Sequence, residues 1–118
     1  MPRSVAEYLE HILDEVNYLS KTTQDIDKDA FLNDQTLRRS FVRSIEIIGE
    51  AVKQVPDSTR KQYPQIEWRK LAGMRDKLIH GYFGVDYEIV WDVAANKSSQ
   101  LASDIQKVLA DQRVREND

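Results

Sequence analysis

A chain of 118 residues holds one domain with one core, and 41% hydrophobic with 31% charged residues describes a folded, amphipathic protein rather than a disordered one. No apolar run nears the roughly 20 residues of a membrane span, Met1-Pro2-Arg3-Ser4 lacks a signal peptide's apolar stretch, and the absence of cysteine excludes disulfides and thiolate metal sites; all three features suit the cytoplasm. The net charge of −3 is unevenly spread: residues 1–34 carry eight Asp/Glu against three Lys/Arg, residues 35–80 ten Lys/Arg against five, and residues 81–118 seven Asp/Glu against four.

Ser4 followed by Glu7 is a capping-box pattern. Behind it, Val5, Tyr8, Leu9, Ile12, Val16 and Leu19 recur at the spacing of one helix face. This first helix is expected to fade near Thr22-Thr23, with His11 on its surface and given no role. Residues 24–34 are rich in Asp and read as a loop, with a short turn around Ala30-Phe31-Leu32 as the alternative. Asp25, Asp27 and Asp29 alternate like the start of a calcium loop, but the Gly and Glu such a loop needs downstream are missing. They are read as solvated.

A second helix places Leu37, Phe41, Ile45, Ile48, Val52 and Val55 on one stripe and stops at Pro56, which cannot donate a backbone bond. Gly49 within it costs about 1 kcal/mol relative to Ala, which predicts the close approach of another helix. Asp57-Ser58 opens a short turn or helix ending by Pro64. A third helix is expected from about Glu67 through residue 80, with Trp68, Leu71, Met74 and Leu78 inward and Gly81 and Gly84 bracketing its end. Asp86 is the N-cap of a fourth long helix burying Ile89, Val90, Val93, Ala94, Leu101, Ile105 and Val108. The charged tail from about Gln112 is expected to fray. No segment alternates with period two for long enough to suggest a sheet. The fold is therefore expected to be all-α, an antiparallel bundle of four to five helices forming a single domain over 1–118.

The stretch Arg75-Asp76-Lys77-Leu78-Ile79-His80-Gly81-Tyr82 carries the chemistry. His80 is one of two histidines, and histidine alone titrates near neutrality without perturbation. Arg75 stays cationic and can grip a phosphate through two parallel hydrogen bonds. On one regular helix the two side chains diverge by about 140°. They converge if the helix loosens near Gly81, or if two copies of the chain pair about a two-fold axis. Both cations also suit the negative end of a helix dipole with no catalytic role, and the basic middle third is equally an ordinary solvated surface or a face for RNA. Trp68 and Trp91 are read as core or dimer packing in preference to base stacking. No His, Asp and Glu cluster has convincing metal-ligand spacing, which argues against a two-metal nuclease.

The R-x4-H-x-Y pattern of Arg75, His80 and Tyr82 is preceded by Trp68-Arg69-Lys70-Leu71-Ala72-Gly73-Met74 and followed by Phe83-Gly84-Val85-Asp86-Tyr87-Glu88-Ile89-Val90-Trp91. Ile45-Glu46-Ile47-Ile48-Gly49-Glu50-Ala51 forms an earlier block. Together these resemble the HepT-like branch of the HEPN superfamily, the toxin half of HepT/MntA toxin–antitoxin modules. The resemblance implies an all-α homodimer with both motifs lining an interfacial cleft. It implies a metal-independent endoribonuclease without cofactor, with Arg75 and His80 catalytic and Asp76 supporting. It also implies a nucleotidyltransferase antitoxin, MntA-like, that silences the toxin by transferring AMP to Tyr82. His80 would move the 2′-hydroxyl or leaving-group proton and Arg75 would stabilise the transition-state charge. The alternative is a catalytically silent helical module that binds a nucleotidyltransferase partner or a nucleotide.

Overall fold

The computed structural model describes residues 4–80 and 84–117. Among them the chain is almost wholly helical: α1 (Val5–Asp25), α2 (Lys28–Leu32), α3 (Gln35–Gln54), α4 (Asp57–Gln62), α5 (Trp68–Leu78), α6 (Tyr87–Asp92) and α7 (Ser98–Asn117). Two two-residue strands, β1 (Ile79–His80) and β2 (Gly84–Val85), pair antiparallel between α5 and α6, and a π-helical segment, Val93–Lys97, joins α6 to α7. Four longer helices, α1, α3, α5 and α7, make the bundle.

Side-chain contacts fix the helix directions. Tyr18 and Glu15 of α1 meet Ser40 and Ser44 of α3 at 2.7 and 2.8 Å. Ser20 meets Ser99 at 3.0 Å, and Glu10 pairs with Arg113. Gly49 faces Leu71 and Ala72, while Glu46 faces Arg75. In each pair one sequence number falls as the other rises, so α1 runs antiparallel to α3 and α7, and α3 antiparallel to α5.

The expected stripes form the core. Leu9, Ile12, Val16 and Leu19 of α1 pack with Phe41, Ile45, Ile48 and Val52 of α3 and Ile105 and Val108 of α7. Ser4 caps α1 by accepting the Glu7 N–H, and Asp34 caps α3 by accepting the Leu37 N–H; each such cap contributes about 1 kcal/mol. At the far end of α3, Arg60 of α4 donates to the carbonyls of Val52 and Val55 at 2.7 and 3.0 Å, supplying partners the helix end lacks.

Several boundaries differ from expectation for local reasons. Helix α1 continues past Thr22 to Asp25, because the Thr23 hydroxyl bonds back to the Leu19 carbonyl at 2.8 Å and stays satisfied within the helix. The expected loop over 24–34 contains α2, capped by Asp27 accepting the Ala30 N–H. Its Phe31 is fully buried, 4.7 Å centroid to centroid from Phe41 and 5.5 Å from Trp91. The tail is helical beyond Gln112: α7 runs to Asn117, with Arg113 on Glu10 and Glu116 Oε1 accepting the Ala6 N–H at 3.3 Å. Asp118 lies outside the described residues.

The fourth helix is broken. Val90, Ala94 and Ser98 are all buried although eight residues of α-helix would rotate Ser98 about 80° away from Val90. The wider turn of Val93–Lys97 removes most of that rotation. A continuous α-helix predicted Ile89, Val93 and Leu101 inside; instead Ile89 is exposed, Val93 and Leu101 are half-buried, and Ser98 is buried with its hydroxyl on the Ala94 carbonyl at 2.5 Å.

Candidate active site

Helix α5 starts on an anchored aromatic. Trp68 is buried and its indole N–H donates to the Tyr63 carbonyl at 3.0 Å, so Trp68 packs in the core. Leu78 is buried at the other end, with Leu71 and Met74 half-buried between them. That leaves Arg69, Lys70, Arg75, Asp76 and Lys77 on the exposed face.

The helix ends at Leu78, two residues earlier than expected. Ile79 takes extended geometry (φ −123°, ψ 102°), and the Leu78 carbonyl accepts the Asp86 N–H at 3.0 Å. Ile79 pairs with Val85 and His80 with Gly84. β-Branched Ile79 and Val85 favour this extended pairing, and it gives the backbone partners it would otherwise lack past the helix end. Asp86 then caps α6 by accepting the Ile89 N–H. Arg75 and His80 are therefore not carried by one helix: Arg75 is on its last turn and the His80 backbone is in a strand. The side chain of His80 lies outside the described residues, as do Gly81 and Tyr82.

Arg75 sits, half-exposed, at the edge of a cleft of about 260 Å³ between α3 and α5, lined by Glu46, Gly49, Glu50, Lys53, Ala72, Arg75 and Asp76. Gly49 is where the two helix backbones meet in this lining. A Cβ there would meet the Leu71 and Ala72 carbonyl oxygens at 3.6 Å, ordinary van der Waals contact: a neighbouring helix does pack here, as the sequence predicted, but not so closely that glycine is required. Arg75 Nε lies 3.8 Å from Glu46 Oε2, and Nη1 lies 3.4 Å from Asp76 Oδ1. Both contacts are long and solvent-exposed, worth about 0–1 kcal/mol each. They restrain the guanidinium without saturating it.

The local charge is mixed, three carboxylates against two cations, and not the uniformly positive face the basic middle third allowed. Two of that third's cations serve the fold instead: Arg38 stacks 5.2 Å over the Tyr87 ring, and Arg60 caps α3. The structure thus brings Arg75 and Asp76 together and adds Glu46, to which the sequence reading gave no role. Its signal was the i, i+3, i+7 spacing of Glu46, Gly49 and Lys53 on a second face of α3.

The model of the family described as ribonuclease HepT-like matches residues 12–108. The chain belongs to the HepT-like ribonuclease family. Among relatives of this HepT-like chain, one named "Putative RNase" in Caldanaerobacter subterraneus subsp. tengcongensis is 45% identical over 86% of the chain and 91% of that protein. Another, named "Probable ribonuclease HepT" in Thermococcus cleftensis, is 38% identical over 92% of the chain and 98% of its own length. No solved structure matches the chain significantly. The HepT-like match spans α3, α5 and the ribbon, and so includes Arg75, His80 and Glu46. Among the described residues of this HepT-like fold, no helix is long and apolar enough to cross a membrane, and no group of three or more His, Asp or Glu could hold a metal. Asp27, part of the calcium-like run, serves as the cap of α2.

Proposed function

We propose that this HepT-like chain is the toxin of a toxin–antitoxin pair, a metal-independent endoribonuclease that works as a homodimer and uses Arg75 and His80. The observation that carries this reading is the half-exposed Arg75 guanidinium, tethered only loosely by Glu46 and Asp76, in a helix that ends two residues before His80. An arginine in that state can exchange weak carboxylate contacts for a phosphate.

RNA brings its own nucleophile. His80 removes the 2′-hydroxyl proton, the 2′ oxygen bonds to phosphorus, and the 5′ oxygen leaves with a proton supplied by the second His80 of the dimer. The product is a 2′,3′-cyclic phosphate. Arg75 neutralises the charge that gathers on the non-bridging oxygens, and Asp76 orients the guanidinium. A nucleotidyltransferase antitoxin silences the enzyme by transferring AMP from ATP to the Tyr82 hydroxyl, which loses its proton as pyrophosphate leaves; two residues from His80, the added phosphate and adenosine would block the path of the RNA.

The test is cleavage of defined RNAs in EDTA. Wild-type protein is expected to cut and leave cyclic phosphate ends, while Arg75→Ala and His80→Ala each lose on the order of 10²-fold or more in rate at unchanged helicity. Tyr82→Phe should cut but resist silencing by the partner and ATP. Cleavage that persists in His80→Ala, or that vanishes in EDTA, would overturn the reading.

A further inference from the structure

We infer that Glu46 is a positioning residue for Arg75: its carboxylate reaches from α3 to the Nε edge of the guanidinium and turns the Nη groups toward an incoming RNA phosphate. This rests on the ribonuclease reading above. The two carboxylates near Arg75 hold different edges, Glu46 at Nε and Asp76 at Nη1. Neither of these two contacts engages Nη2.

Asp76 makes the shorter contact, a hydrogen bond of 3.4 Å against 3.8 Å for Glu46, but Glu46 is the more buried of the two and comes from a different helix. Its side chain is 29% exposed, against 72% for Asp76, so it has less freedom to swing away. It stands one turn before Gly49, where α5 packs against α3: Arg75 Cβ itself lies 4.0 Å from where a Gly49 Cβ would be. The stem of Arg75 is thus held against α3 by the same helix that supplies the carboxylate for its head. An unheld arginine would have to lose its rotamer freedom during each turnover.

The charge of Glu46 has a second effect. A carboxylate beside the phosphate site repels RNA in the ground state, so removing it should leave substrate binding unchanged or tighter while catalysis suffers. An exposed ion pair this long adds little to stability, so the fold should not register the loss.

The experiment compares Glu46→Ala and Glu46→Gln with wild type by steady-state cleavage of a defined RNA. It also follows the Arg75 side-chain Nε–Hε signal by NMR, assigned by its disappearance in Arg75→Lys. For Glu46→Ala the expected result is kcat down on the order of tenfold to a hundredfold, KM equal or lower, unchanged melting temperature, and an Nε–Hε signal moved to the position of freely solvated arginine. Glu46→Gln keeps an oxygen that can accept from Nε and should recover most of kcat and of the signal. Wild-type kcat in Glu46→Ala, a Glu46→Gln as impaired as Glu46→Ala, or a kcat loss matched by lowered melting temperature would each overturn the inference. Failure of the wild type to cut RNA would instead sink the ribonuclease reading, and the NMR signal would still decide whether Glu46 holds Arg75.

Discussion

At the scale of single residues, the most consequential polar contact outside the cleft is Tyr63 with Asp111. Tyr63 is 6% exposed, and its hydroxyl donates to the Asp111 carboxylate, which Arg115 also contacts at 3.0 Å. Burial and then the adjacent carboxylate push the Tyr63 phenol above its ordinary pKa. Hydrogen bonds from Tyr63 and Arg115 hold the Asp111 carboxyl below its own. The signs give a window. A raised phenol contributes stability below about pH 10 that is lost as pH climbs through the folded value; a lowered carboxyl contributes stability above about pH 3.9 that is lost as pH falls through the folded value. Tyr63→Phe should therefore lower the melting temperature by roughly 2–6 °C near neutrality. The gap between wild type and variant should close at both extremes. Thermal melts across pH check this, and a gap independent of pH would contradict it.

At the scale of elements, helix interiors were legible in the sequence and several of their ends were not. Leu9, Ile12, Val16, Phe41, Ile45 and Ile48 follow the three-and-four spacing, which tertiary packing preserves. The end of α5 depended on Ile79 pairing with Val85, and the π segment on which face of the last helix met the core; neither leaves a periodicity in the sequence. The burial of Phe31 was not foreseen, although a turn was placed there, because five residues are too short to show helical periodicity. Of the candidate site, residue types and order were legible. The Glu46–Arg75 contact was not, because it spans 29 positions and two helices. Gly49 turns this into a prediction. A Cβ at 3.6 Å from two carbonyl oxygens is in ordinary contact, so Gly49→Ala should fold and gain up to about 1 kcal/mol from helix propensity. Gly49→Leu should push α5 off α3 and destabilise by about 1–3 kcal/mol. Chemical denaturation separates the two, and equal losses for both would refute the contact.

At the scale of the whole molecule, the helices do not share the load evenly. Helix α1 lies between α3 and α7 along nearly its full length, whereas the principal neighbour of α5 is α3. Only Trp68 and Leu78 of its eleven residues are buried. The consequence is a gradient of local opening free energy across the bundle. The amides of α5 can exchange with solvent by detaching from one neighbour, while those in the middle of α1 require dissolution of the core. Hydrogen exchange should show α5 amides losing protection well before those around Ile12 and Ile45, and uniform protection would mean that α5 opens only with the whole protein. Of the four bundle helices, the one bearing Arg75 is thus the one that can be displaced at least cost to the rest. A partner that acts on this edge could change the fate of the site while α1, α3 and α7 stay folded.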